Sequence, residues 1–141
     1  MAMCDQSLPL KGLRVLVVDS DPDCRYLLTM IFDEYGVETL AAKSAIETLE
    51  ILKQVKPDVL ISEIRLPKED GYSLISKVKA LESAEQDQIP AIALTTQARE
   101  GDRAHALSAG FCKHLPKPFD IDELIAMVAC LTQHIQWVPA T

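Results

Sequence analysis

Short apolar runs alternate with longer stretches of helical period along this chain. Three of the runs lack polar alternation, which is typical of parallel strands buried on both faces, and a run at 37–41 alternates apolar and polar residues like a strand nearer an edge. We therefore predict five strands, from the sequences VLVV at 15–18, VETLA at 37–41, VLI at 59–61, AIAL at 91–94 and FCKHL at 111–115.

The segments between these runs begin with residues that favour helix starts. Asp21-Pro22 is an N-cap with proline in the first turn, and Ser44 with Glu47 forms a capping box that opens a helix to about Val55. Three further helices are predicted after Asp70-Gly71, from Asp102 to Gly110, and after the cap Asp120. Their predicted inward faces include Cys24, Leu27, Leu28, Ile31, Phe32 and Tyr35 in the first helix, Leu74, Ile75, Val78 and Leu81 in the third, and Leu124, Met127, Val128 and Leu131 in the last.

Strands that alternate with helices predict an α/β fold, in which a parallel sheet is covered on both faces and the crossovers are right-handed. Neither an internal repeat nor a low-complexity segment interrupts the pattern. We predict one domain at 12–132, with an N-terminal lead-in at 1–11 and a C-terminal tail at 133–141.

The net negative charge of the chain argues against some classes of partner. The 141 residues include 21 acids against 14 lysines and arginines, and the formal net charge of -7 repels phosphate backbones and anionic lipid. The sequence contains no apolar run that approaches the roughly 18 residues of a membrane span. We therefore expect a cytoplasmic protein that binds neither nucleic acid nor membrane, with its four cysteines reduced because none forms a C-x-x-C pair.

Polar residues follow the predicted strands at the edge where ligands bind in open parallel sheets. Asp19, Ser20 and Asp21 end the first strand, Glu63 ends the third, Thr95 ends the fourth and Lys117 follows the fifth. Each has an ordinary explanation when taken alone, such as helix capping for Asp21. Their coincidence at one edge instead indicates a functional site.

The ordered segments VVDSDPD, PDVLISEIRLPKEDGYSLI, IPAIALTTQ and GFCKHLPKPF resemble the receiver domain of two-component response regulators, over about 12–132. The resemblance implies a flavodoxin-like (βα)5 fold with strand order 2-1-3-4-5. In such domains an aspartate after strand 3 accepts a phosphoryl group from a histidine kinase. Mg²⁺ assists the transfer and is held by that aspartate and by an acidic pair after strand 1.

The resemblance also implies roles for individual residues. Asp19 matches the first acid of the pair, Thr95 the switch hydroxyl, His114 the switch aromatic position, and Lys117 the phosphoryl-contacting lysine, followed by a cis peptide to Pro118. The carbonyl of Arg65 would join Asp19 and Glu63 around Mg²⁺, if the metal binds at all.

Two positions depart from the family pattern, because Ser20 replaces the second acid and Glu63 replaces the phosphoacceptor aspartate. The extra methylene of Glu63 moves its carboxylate roughly 1.5 Å outward, and a displacement of about 1 Å can slow a positioned reaction on the order of 10²-fold. We therefore predict a degenerate receiver that binds Mg²⁺ weakly, is not an enzyme, and signals by protein contact. Its glutamate would imitate a phosphoryl group only in part, because it lacks the roughly -1.5 to -2 charge of one.

The expected partners are a histidine kinase or hybrid kinase and a downstream protein effector, with a homodimer through helix 4, strand 5 and helix 5 as a further expectation. Two other interpretations remain open. Glu63 could be an engineered phosphomimetic replacement in a normal receiver, or Asp19 and Asp21 could be the D-x-D motif of a haloacid-dehalogenase-like phosphatase.

Overall fold

A computed structural model describes residues 10–82, 88–95 and 102–132. Strands and helices alternate along these residues, as the sequence predicts. The strands are β1 (Arg14–Val18), β2 (Glu38–Ala42), β3 (Val59–Glu63), β4 (Ala91–Thr95) and β5 (Lys113–Pro116), and the helices are α1 (Pro22–Asp33), α2 (Ala45–Leu52), α3 (Gly71–Glu82), α4 (Asp102–Ala109) and α5 (Ile121–Thr132).

The five strands form one parallel sheet in the order β2-β1-β3-β4-β5, which confirms the predicted flavodoxin-like topology. β3 lies in the centre, and its five residues are all buried. Glu63, the last residue of β3, pairs with Leu94 of β4. The strand order therefore places the ends of β1 and β4 on either side of Glu63.

Alternate residues of each central strand enter separate hydrophobic cores on the two faces of the sheet. Val15 and Val17 of β1 pack with α1 and α5, whereas Leu16 and Val18 pack with α2, α3 and α4. Because both faces are covered by helices, the central strands need no polar positions, and this explains their continuous apolar runs.

The predicted caps fix the helix starts. The Asp21 side chain accepts a hydrogen bond from the backbone N–H of Asp23, and Ser44 accepts one from the N–H of Glu47. The Glu47 carboxylate accepts a bond from the Lys43 N–H at 2.8 Å, one residue before the cap itself. Asp120 likewise accepts bonds from the N–H groups of Asp122 and Glu123 at the start of α5.

Some predicted bounds and core positions were wrong. β5 begins at Lys113 instead of 111, because the Phe111 N–H bonds back to the Ala106 carbonyl and so belongs to the end of α4. α2 ends at Leu52, three residues before the predicted end. Leu27 and Leu81 are about half exposed, at 45% and 53%, because each lies at the margin of its apolar stripe.

Several predictions concern residues outside the described ranges. They are the predictions for the lead-in before residue 10 and for the tail at 133–141. Among the helices that are described, none has the length and apolar character needed to cross a bilayer.

Candidate functional site at the carboxyl edge of the sheet

The sheet brings four of the predicted site residues to one edge. Asp19 directly follows β1, Glu63 ends β3, Thr95 ends β4 and Lys117 directly follows β5. Asp19, Glu63 and Thr95 are buried, with exposed fractions of 0%, 8% and 5%. Such burial of two carboxyl groups is costly unless cations or hydrogen-bond donors compensate their charge.

Lys117 supplies the compensating cation. Its Nζ lies 2.7 Å from Oδ2 of Asp19 and 3.6 Å from Oε2 of Glu63, so one ammonium group contacts both carboxylates. Its backbone N–H donates to the Thr95 carbonyl at 2.7 Å, which joins the loop after β5 to the end of β4. The peptide bond between Lys117 and Pro118 is cis, as predicted.

Ser20 holds the other oxygen of Glu63. The Ser20 hydroxyl and backbone N–H donate to Oε1 of Glu63 at 3.0 Å and 3.2 Å. A second acid at this position would repel the carboxylate that serine instead binds. The two departures from the family pattern therefore form one hydrogen-bonded unit.

Asp19 is fixed from several sides. Its Oδ1 accepts a hydrogen bond of 2.9 Å from the Asp21 N–H, its Oδ2 accepts the bond from Lys117, and its carbonyl accepts one of 2.6 Å from Nη1 of Arg25. The partly buried Cys24 side chain, in the first turn of α1, also lowers the pKa of the Asp19 carboxyl group. These contacts fix the orientation of the Asp19 carboxylate at this edge of the sheet.

Burial and these contacts shift the pKa values of Asp19, Glu63 and Lys117. Burial raises the pKa of Asp19, but the bonds from Lys117 and Asp21 and the nearby Cys24 side chain outweigh it and hold that pKa below 3.8. The pKa of Glu63 is raised above 4.5 by burial and by the neighbouring Asp19 charge, against the lowering effect of Ser20 and Lys117. Burial lowers the pKa of Lys117, but its bond to Asp19 outweighs this and leaves the pKa raised above 10.5. At neutral pH Lys117 and Asp19 are therefore a charged pair.

Cys24 was not predicted to belong to the site. It lies in the first turn of α1, and burial together with the Asp19 carboxylate raises the pKa of its thiol to about 12. Its position five residues after Asp19, on a helix that starts at the site, was the available sequence signal. The described cysteines Cys24, Cys112 and Cys130 are free thiols.

The remaining predicted site residues are Asp21, Arg65 and His114. Asp21 is exposed and its side chain caps α1, so it does not add a third carboxylate to the pocket. Arg65 is exposed in the loop after β3. His114 is half-buried in β5, where it pairs with Ala93 of β4.

Gly71 supports the backbone of Glu63. A Cβ atom at Gly71 would lie 2.7 Å from the Glu63 carbonyl oxygen and 2.9 Å from Cα of Ile64. The Gly71 N–H also donates to the Ile64 carbonyl at 2.7 Å. Only glycine allows the start of α3 to approach the end of β3 this closely.

The donor set fits a divalent cation poorly. Mg²⁺ requires several oxygen ligands in near-octahedral geometry. No group of three or more acidic, histidine or cysteine side chains suited to a metal occurs within the described ranges. The Lys117 ammonium lies between Asp19 and Glu63 and balances one of their two negative charges.

The profile of the response regulator receiver domain family matches residues 15–129. This chain belongs to that family. An uncharacterized 14.6 kDa protein in the sodA1 3′ region of Leptolyngbya boryana is 43% identical to this receiver domain over 119 residues, which cover 84% of this chain and 89% of that protein. The DNA-binding transcriptional regulator NtrC of Escherichia coli K12 is 34% identical over 122 residues, 86% of this chain but only 25% of NtrC.

Solved structures of receivers share the fold. The receiver domain of the sensor histidine kinase PA1611 from Pseudomonas aeruginosa superimposes with a TM-score of 0.78 at 28% identity, covering 86% of this chain and 98% of that one. That structure contains a magnesium ion coordinated in its active site cleft. Receiver domains are thus signalling modules that can bind Mg²⁺, and the present chain has their architecture.

Proposed function

We propose that this receiver domain is degenerate and transmits signals by protein contact, without accepting a phosphoryl group. The observation that carries the proposal is the set of contacts that orient the Glu63 carboxylate, namely two hydrogen bonds at Oε1 and an ion pair at Oε2. Ser20 donates two bonds to Oε1, and the Lys117 ammonium lies 3.6 Å from Oε2. A nucleophilic carboxylate must instead direct a free oxygen at the incoming phosphorus.

The charge of the pocket supports the same conclusion. Asp19 and Glu63 carry two negative charges against one on Lys117, so the formal sum is -1 when all three are ionised. The raised pKa of Glu63, which comes from burial and from Asp19, reduces that surplus further at mildly acidic pH. A hard divalent cation gains little from so small a charge. We therefore propose weak Mg²⁺ binding, through Asp19, Glu63 and the Arg65 carbonyl if it occurs.

The contact between Lys117 and Glu63 also favours partial mimicry of a phosphorylated domain. Oε2 of the Glu63 carboxylate lies near the ammonium group that would contact a phosphoryl oxygen in an ordinary receiver. The carboxylate has a single negative charge and two oxygens, so it can replace only some of the contacts of a phosphoryl group. This geometry is the same whether Glu63 arose naturally or by deliberate replacement.

We propose no catalytic activity for the domain. In a phosphatase of the D-x-D type, Asp21 would have to act as acid and base beside the nucleophile Asp19. The Asp21 carboxylate instead accepts the Asp23 N–H at 2.9 Å as a helix cap. Absence of p-nitrophenyl phosphate hydrolysis in the presence of Mg²⁺ would agree with this, and turnover abolished by Asp19→Asn would contradict it.

The proposed partners are a histidine kinase or hybrid kinase and a downstream effector protein. The receiver domain of yeast Ssk1, co-crystallised with the histidine phosphotransfer protein Ypd1, shares the fold at a TM-score of 0.81, although only 18% of residues are identical. A face formed by α4, β5 and α5 is the proposed surface for effectors or a second copy. It exposes Leu107 and Ile121, at 42% and 44%.

Phosphorylation can be tested directly. The wild-type protein, Glu63→Asp, Ser20→Asp and the double variant would be incubated with acetyl phosphate and Mg²⁺, and intact mass would be measured. We expect an adduct of one phosphoryl group in the double variant only, and amide NMR shifts with beryllofluoride in that variant alone. An adduct on the wild-type protein would overturn the proposal.

A further inference from the structure

A cavity of about 390 Å³ opens beside the carboxyl edge, between the loops that follow β1, β2 and β3. Asp19, Glu63, Thr95 and Lys117 do not line it, so it is separate from the carboxylate pair. Ser20 lies on the wall between the two. The volume is within the range of sites for small organic ligands.

The charged groups of the cavity favour an anion. Lys43 and Lys68 line it and both are exposed. In the part of the chain that the structure describes, the Nζ atom of neither lysine lies within 4.0 Å of a carboxylate oxygen. The acid on the wall is Glu69, whose Oε2 already accepts from Lys77 Nζ at 2.6 Å and from Ser73 Oγ at 2.6 Å. Its charge is therefore compensated from outside the cavity, and the lysines give the cavity a net positive charge within a chain of net charge -7.

The remainder of the wall is mostly apolar. Ala45, Ile46 and Pro67 contribute to it, and Ile46 is 62% exposed although it is a large aliphatic residue. A simple inorganic ion would leave this surface in contact with water. A ligand with an apolar body would cover it and gain the hydrophobic contribution.

We propose that this cavity binds a small organic anion, in which an apolar body lies against Ile46 and Pro67 and a phosphate or carboxylate group lies between Lys43 and Lys68. The binding itself does not depend on the proposed function of the domain. Ser20 connects the cavity to the carboxylate pair, because an anion that accepts a hydrogen bond from the Ser20 hydroxyl competes for it with Oε1 of Glu63. Occupancy of the cavity would then release one of the bonds that hold Glu63.

The test uses phenyl phosphate, inorganic phosphate and phenol as probes in amide NMR titrations of the full chain at low salt. We expect saturable shifts with phenyl phosphate at the amides of Ser44, Ala45, Ile46, Lys68 and Glu69, and much weaker binding of the other two probes. Lys43→Met and Lys68→Asn should each weaken phenyl phosphate about two- to fivefold, the size expected for one exposed charge pair. Asn is chosen at Lys68 because the backbone φ of 70° there suits few other residues.

Lys53→Met is the matched control, since Lys53 is an exposed lysine at the far end of α2. It should leave the affinity unchanged. The proposal is overturned if phenyl phosphate shows no saturation, or if its shifts centre on Thr95 and Lys117. Equal weakening by Lys53→Met, or binding of phosphate or phenol as tight as that of phenyl phosphate, would overturn the assigned chemistry equally.

Discussion

The hydroxyl of Ser20 donates a hydrogen bond of 3.0 Å to Oε1 of Glu63, which joins the two residues that are predicted to depart from the receiver pattern. Serine at this position is a donor to the carboxylate, whereas a second acid would repel it. Ser20 and Glu63 are therefore better understood as one coupled change than as two independent losses of an acidic residue.

Ser20→Ala should remove the side-chain donor while the backbone N–H bond to Glu63 remains. We expect the free energy of unfolding to fall by about 1 kcal/mol, and the pKa of Glu63 to rise further, because a donor to its charged form is lost. Urea unfolding and an NMR titration of the Glu63 carboxyl would measure the two effects. Ser76→Ala, at an exposed position of α3, is the control and should change neither.

Lys117→Met should leave the two carboxylates without their shared cation. We expect a loss of about 2 to 4 kcal/mol in unfolding free energy at pH 7, and a further rise in the pKa of Glu63, since burial and Asp19 then act without opposition from Lys117. Because the cost arises from ionised carboxylates, it should shrink when the urea unfolding is repeated near pH 4. An undiminished cost at that pH would show that lost packing, and not charge, dominates.

The two carboxylates should give opposite pH trends. The pKa of Asp19 lies below 3.8 in the folded state, so its contribution to stability is present at higher pH and is lost as the pH falls through that folded value. The pKa of Glu63 is raised above 4.5, so ionising it costs stability as the pH rises from 4.5 through its folded pKa.

Glu63→Gln removes only the loss of stability that accompanies ionisation of Glu63. We expect the unfolding free energy of this variant, relative to wild type, to increase as the pH is raised above 4.5 and then to reach a plateau. Urea unfolding at a series of pH values would measure it, with the exposed Glu34→Gln as the control. A pH-independent difference between Glu63→Gln and wild type would contradict the raised pKa.

Gly71→Ala should separate α3 from the end of β3, because the new Cβ would lie 2.7 Å from the Glu63 carbonyl oxygen. We expect a destabilisation of about 1 to 3 kcal/mol, with amide shifts at Glu63 and Ile64. Gly12→Ala is an informative contrast. Gly12 has a φ of 90° but no atom within 4 Å of an added Cβ, so its cost should come without shifts at Glu63.

Cys24 should be the least reactive of the described thiols. Burial and the Asp19 carboxylate raise its pKa to about 12, so it carries almost no thiolate near pH 8. Peptide mapping after limited iodoacetamide treatment should find Cys112 and Cys130, which are exposed, labelled before Cys24. Asp19→Asn should speed labelling of Cys24, and equal rates in both proteins would show that the Asp19 carboxylate does not raise the pKa of the thiol.

The sequence predicted the fold because its signals were local and agreed with one another. Caps at Asp21, Ser44 and Asp120 all formed, and the apolar runs became the buried strands. The mistakes arose where a local pattern has two readings. Phe111 is as apolar as a strand residue, yet its N–H completes the end of α4.

The position of the site could be predicted from the sequence, but its hydrogen bonds could not. The rule that ligands bind at strand ends gathered Asp19, Glu63, Thr95 and Lys117 correctly at one edge. Lys117 lies closer to Asp19 than to Glu63, and Ser20 donates to Glu63. Both contacts depend on side-chain rotamers, which the residue pattern does not encode. Cys24 was missed because a cysteine in an apolar stripe also has an ordinary core explanation.

The burial of β3 on both faces has a mechanical consequence. Val59 and Ile61 pack into one core and Leu60 into the other, while β1 and β4 flank the strand. Moving β3 would disrupt two interiors at once. We therefore expect changes at Glu63 to involve rotation of its side chain and rearrangement of the surrounding loops, while the strand itself keeps its place in the sheet.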